Sequence, residues 1–191
     1  SEDDRWIIGP TGLEETTVWS ASTGVRAVRI ALDISPSGSW KLSDDGRYLM
    51  IEDGVVRELW DLRARRKIAD LGEFTERIYD TAFSRDSAHL LFNRQLDDRT
   101  EHMFLWSFTE GRVIADLGEF RHVNTLTIAG YEIGEGHSGD DYALWTLASA
   151  RRLLSCSDAY MTLVQREGSE DVRLLGKAPD GVIIWRLDPP G

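Results

Sequence analysis

The stretch Gly134-Glu135-Gly136-His137-Ser138-Gly139 spells GxGxxG, a spacing that lets backbone approach the pyrophosphate of a dinucleotide. That chemistry needs a strand before the glycines and a helix after them, so that phosphate meets the free amides of a helix N-terminus. The residues after the glycines, DDYALWTL, read as strand. The segment is therefore expected to be a glycine-rich turn between two strands, not a nucleotide site. His137, Asp140 and Asp141 are types that ligate metals, but their spacing matches no calcium loop, so a solvated loop is expected. His89, His102 and His122 are scattered among different strands or loops. Cys156, the only cysteine, sits in the apolar-flanked RRLLSCSD with no His partner implied, and reads as a buried, inert thiol. The acidic pairs Asp97-Asp98 and Asp140-Asp141 read as turns, where Asp is favoured for local backbone reasons. No catalytic residue, cofactor or metal site is expected.

The charge balance narrows the partners. The 191 residues carry 33 acidic and 22 basic side chains, a net charge of −11, which disfavours a phosphate backbone as ligand. The one basic cluster, Arg63, Arg65, Arg66 and Lys67, is short and reads as a solvated turn. Hydrophobic residues make up 41%, enough for a sizeable core, yet no apolar run reaches the ~20 residues of a membrane-spanning helix. SEDDRWII lacks the basic flank and apolar stretch of a secretory signal. A single cysteine fits a reducing compartment, so a cytoplasmic location is expected. There is no starting Met, and Ser1 reads as a processing or expression boundary.

The elements that would position any site come from a repeat. Residues 59–74, LWDLRARRKIADLGEF, and 105–120, LWSFTEGRVIADLGEF, share the seven letters IADLGEF at an offset of 46. Trp19, Trp60, Trp106, Trp145 and Trp185 each follow an aliphatic residue, and their spacings are 41, 46, 39 and 40. A period near 40 belongs to solenoids or propellers. The apolar runs are short and bounded by Asp, Gly and Ser, as in RYLMI before Glu52-Asp53-Gly54, which is a strand and hairpin pattern and not a helical one. Eighteen strands are expected, in groups of three, four, four, four and three. The inner strand of the fourth group comes from VNTLTI.

With LWDL at 59–62, its variants LWSF, LWTL, IWRL and VWSA, and the turns LSDDG at 42–46 and FSRDS at 83–87, the chain resembles the WD-repeat β-propeller family. That family typically carries F-S-P-D-G at the turn and Trp-Asp at the end of its third strand. The resemblance implies an all-β propeller or propeller segment over 1–191, of about 4.5–5 four-stranded blades. Its repeats fall at about 1–34, 35–74, 75–120, 121–156 and 157–191. Only Trp60-Asp61 keeps the family's Trp-Asp. The family's Gly-His pair is replaced by Gly72-Glu73 and Gly118-Glu119, so its buried polar tetrad is incomplete and the blades should depend on packing and backbone ladders. The chain stands two strands short of five complete blades, and exposed edges are usually covered. It is therefore expected to belong to a larger propeller completed by another chain or a removed segment, with a compact five-bladed ring as the rival.

The resemblance implies a non-catalytic scaffold, sensor or regulatory domain that binds protein or peptide on a propeller face. Alternatives are a fragment paired with another propeller segment and regulated by proteolysis or assembly, or, more weakly, a propeller hydrolase. Neither nucleic acid nor membrane is an expected partner. The Leu-Gly-Glu-Phe pieces lie where one blade steps to the next. Phe74 and Phe120 are either packing residues or aromatic anchors, with Glu73, Arg77, Glu119, Arg121 and His122 as a polar rim.

Overall fold

The computed structural model describes residues 5–12, 15–31, 38–53, 56–73, 81–96, 100–120, 122–128, 131–138, 141–157, 160–165, 172–178 and 181–187. Each short apolar run becomes a strand, and these pair with their sequence neighbours in antiparallel order. The first sheet has β1 (Trp6–Gly12), β2 (Glu15–Ser20) and β3 (Arg26–Ala31). The second has β4 (Ser39–Leu42), β5 (Tyr48–Asp53), β6 (Val56–Asp61) and β7 (Arg66–Glu73). In the third are β8 (Thr81–Phe83), β9 (His89–Gln95), β10 (Glu101–Ser107) and β11 (Arg112–Gly118). The fourth comprises β12 (His122–Ile128), β13 (Tyr131–Ser138), β14 (Asp141–Thr146) and β15 (Arg151–Ser157). The last holds β16 (Tyr160–Gln165), β17 (Val172–Ala178) and β18 (Gly181–Leu187). The grouping of three, four, four, four and three is the one read from the sequence.

The aliphatic-Trp pair has a structural reason. In the first four sheets the ladder to the following strand shifts register between the aliphatic residue and the tryptophan: Val18/Trp19, Leu59/Trp60, Leu105/Trp106 and Leu144/Trp145. Such a bulge places an extra residue on one strand and bends it. In the second and third sheets the extra residues are Ile68 and Ile114. A second shift in each leaves Leu71 and Leu117 extra as well. These are the Ile and Leu of IADLGEF. An unbroken strand would send residues three apart to opposite faces. With two bulges, Leu71 and Ile68 pack into one cluster, and Leu117 and Ile114 into the next.

Two turns share a polar device. Ser43 Oγ donates to Asp45 (2.7 Å) and accepts from Tyr48 N (2.9 Å), while Ser84 Oγ donates to Asp86 (2.6 Å) and accepts from His89 N (2.9 Å). The residue after each Asp is left-handed, Gly46 at φ 68° and Ser87 at φ 57°. Asp61 of the Trp-Asp pair accepts from Arg47 at 2.9 Å and from the amides of Arg63 and Ala64. Burial pushes the Asp61 carboxyl up, but the Arg47 guanidinium and the two amides outweigh it and hold it below the ordinary carboxylate value. Burial draws the His89 imidazole below its usual value, against the pull of Asp86 and Glu132. Packing is thus joined by more polar linkage than the missing tetrad led one to expect.

The core lies between successive sheets. Tyr48, Met50 and Leu59 of the second meet Leu90, Phe92 and Trp106 of the third. Across the same seam Arg57, fully buried, lies 2.7 Å from Glu52 Oε1 and donates to Asn93 O at 2.6 Å. Lys41 Nζ donates to Thr81 O, and Asp45 N to Ser87 Oγ at 3.1 Å. Between the third and fourth sheets Leu91, Met103 and Leu105 pack with Trp145 and Leu147.

Candidate functional site

The GxGxxG segment corrects its sequence reading. Gly134 to Ser138 lie inside β13, not in a turn, and are followed by β14. The glycines serve packing. A Cβ on Gly134 would stand 2.8 Å from Leu147 and 2.9 Å from Leu91, and one on Gly136 would meet Met103 at 3.0 Å and the Phe120 and Trp145 rings at 3.1 Å. Side chains of the third sheet reach the β13 backbone because nothing stands in their way. His137 is likewise a strand residue, and Asp141 opens β14 in place of the expected loop. Asp97, Asp98 and Asp140 lie outside the described residues. Cys156 is in β15, opposite Tyr142.

Antiparallel alternation brings the ends of β9, β11 and β13 and the starts of β10, β12 and β14 to one end of the third and fourth sheets. Phe120 lies at that end, just after β11. Gly118, at φ 98°, turns the chain, its N–H donates to Asp116 at 2.9 Å, and Phe120 N donates back to Gly118 O at 3.0 Å. The Phe120 ring then stands edge-on to Trp145, centroids 5.0 Å apart at 84°, a geometry favoured by the ring quadrupoles. Glu119 beside it is exposed.

The third and fourth sheets each carry a carboxylate-imidazole pair. On the third sheet His102 Nδ1 is 2.9 and 3.0 Å from the two oxygens of Asp116, and Arg94 lies over the Phe104 ring at 4.4 Å. On the fourth, His137 Nε2 is 2.9 Å from Glu135, with the ring edge-on to Tyr142 at 4.6 Å. Each imidazole gives one nitrogen to a carboxylate of its own sheet. That contact fixes a ring in a surface as readily as it prepares a base. Among the described residues no three His, Cys, Asp or Glu side chains converge on a metal position.

The expected polar rim is only partly a loop feature. Glu73 ends β7 and His122 opens β12, where it faces His137 in register, so both belong to strands and not to the connections. Phe74, Arg77 and Arg121 lie outside the described residues. Glu119 and Phe120 stand in the connection after β11. The His102–Asp116 pair was not foreseen, because it depends on strand pairing between residues 14 apart. Glu135–His137 could have been found, since residues two apart share a strand face.

No family model matches the chain, and no curated protein does. Solved structures do. A eukaryotic initiation factor superposes with a TM-score of 0.60 over 97% of this chain and 50% of that one, at 8% identity. Dihydro-heme d1 dehydrogenase NirN in complex with DHE gives 0.54 over 97% and 42%, at 16% identity. These are β-propeller structures, and the chain has an all-β fold of that type. It spans half or less of each of these two chains. Likeness at such identities concerns fold alone, and this architecture serves unrelated functions. Among the described residues no helix is long and apolar enough to cross a membrane.

Proposed function

We propose that the chain is a non-catalytic, WD-repeat-type interaction domain, of scaffold, sensor or regulatory kind, that binds protein or peptide at the Phe120 end of the third and fourth sheets. One observation carries the reading: an aromatic ring held edge-on to Trp145 beside exposed Glu119. An aromatic centre within a polar, solvated rim is the anatomy of a recognition surface. Glu73, Phe74, Arg77, Arg121 and His122 extend that rim in the proposal, and the partner is met in the cytoplasm. Exposed Glu119 gives the rim an acidic bias, which agrees with the net charge of −11 and selects against nucleic acid.

The test is selection of a phage-displayed random peptide library on the purified chain. Selected peptides are expected to slow amide exchange over 116–120 and 135–138, and to lose at least tenfold in affinity with Glu119→Lys. Glu119 is exposed, so this variant should keep the melting temperature of the parent. Peptides that bind undiminished to Glu119→Lys, or that protect only other strands, overturn the assignment.

A further inference from the structure

The first sheet differs from the second, third and fourth at one register position. Ile7 pairs with Trp19, as Leu49 pairs with Trp60, Leu90 with Trp106 and Gly134 with Trp145. Leu49 and Leu90 are 0% exposed and Gly134 is buried, yet Ile7 is 56% exposed. Trp19 beside it is only partly covered and packs over Gly9, where a Cβ would lie 3.7 Å from its ring.

What covers the equivalent positions is the preceding sheet. Leu49 packs in one cluster with Val18, Leu90 with Leu59, and Trp145 with Leu105. Val18, Leu59 and Leu105 are the aliphatic residues immediately before each tryptophan, and all three are 0% exposed. The open face of the first sheet therefore calls for a sheet whose third strand carries an aliphatic-Trp step. β18 carries one, Ile184-Trp185, in the same register, with Trp185 opposite Leu174 of β17.

We propose that the Ile7–Trp19 face is a docking surface for the β16–β18 sheet of a second copy of this chain. The occupant is a second copy because β18 offers the aliphatic-Trp step that the face calls for, while Ile7 stays exposed in the presence of the chain's own β16–β18 sheet. The contact is head to tail, since the face on one copy meets a different sheet on the other. It is independent of the peptide site, which lies at the end of the third and fourth sheets.

Sedimentation velocity over a concentration series tests it, with the chain, Ile7→Asp, Ile7→Lys and an equimolar mixture of the two variants. The parent is expected to associate reversibly, each variant to weaken association at least tenfold, and the mixture to stay dissociated. A parent that remains monomeric throughout overturns the proposal. So does re-association of the mixture, because only a face-to-face contact would place the opposite charges together. Ile7→Thr, which keeps a β-branched side chain, should show a smaller loss of the same sign if the charged variants fold poorly. In the associated parent, amide exchange should slow in β1, β2 and β18; unchanged exchange there also overturns it.

Discussion

The seam between the second and third sheets and the seam between the third and fourth join similar sheets by different means. The first is filled with rings, Tyr48 stacked on Phe108 at 3.7 Å, and is crossed by a buried guanidinium, Arg57 to Asn93 O. The second is drawn close over two glycines of β13, with Leu91, Met103 and Phe120 occupying the space that their missing side chains leave. Polar links there sit toward the margins, Thr125 Oγ1 to Phe83 O at 2.7 Å and Arg85 N to Glu132 at 3.1 Å. In the first seam two long donors, Arg57 and Lys41, reach across to backbone carbonyls. Where one wall is bare backbone, apolar contact fills the gap beside the Thr125 and Glu132 links.

The largest effect is expected from breaking the polar seam. Arg57→Ala leaves Glu52 and the Asn93 carbonyl without the guanidinium and should cost about 3 kcal/mol, toward the low end for removing one partner of a buried pair because Glu52 keeps some solvent. Urea unfolding of the parent and variant would read it, and a cost under about 1 kcal/mol would mean the link is dispensable. Next comes overfilling the apolar seam. Gly134→Ala should cost about 2 kcal/mol, within the range for core overpacking, and should be partly relieved by Leu91→Ala in the same background. Absence of that coupling in a double-mutant cycle would refute the packing role.

Smaller effects separate the two Ser-x-Asp turns. Ser87→Ala removes the acceptor for Asp45 N and keeps a Cβ at positive φ, for a loss of about 1 kcal/mol. Ser87→Gly loses the same bond but relieves about 1 kcal/mol of left-handed strain, so its melting temperature should lie near the parent's. The smallest effect is a pH slope. The folded chain holds His89 below its ordinary value, so as pH falls through 6.5 the unfolded chain takes up a proton that the folded one does not. Stability should fall across that window and level off below the lowered value. His89→Gln should flatten this slope in urea midpoints measured from pH 7.5 to 5.

The strands and sheet grouping were legible because period-two runs and Asp-Gly turns are local signals, and the aliphatic-Trp pair recurs at a bulge in each of the first four sheets. The GxGxxG strand was misread for a related reason. Glycine signals a turn in the sequence, but at 134 and 136 it answers to Leu91 and Met103 on another sheet, which no local pattern reveals. IADLGEF is legible in the sequence as a repeat, but that its Ile and Leu are paired bulge residues is visible only from the ladder. Arg57 gave no sequence signal at all, since an arginine between Val56 and Glu58 reads as the solvated side of a strand.

Among the inter-sheet bonds described, every one joins sheets that are consecutive in the chain. Loss of structure can therefore spread by way of neighbours, one boundary at a time, as in linear repeat arrays. The third sheet is held from both sides, by Arg57, Lys41 and Asp45 on one flank and by Thr125 and Glu132 on the other. Its amides should be the last to exchange, and a protease that nicks the chain near either end should leave a resistant kernel built around β9 and β10.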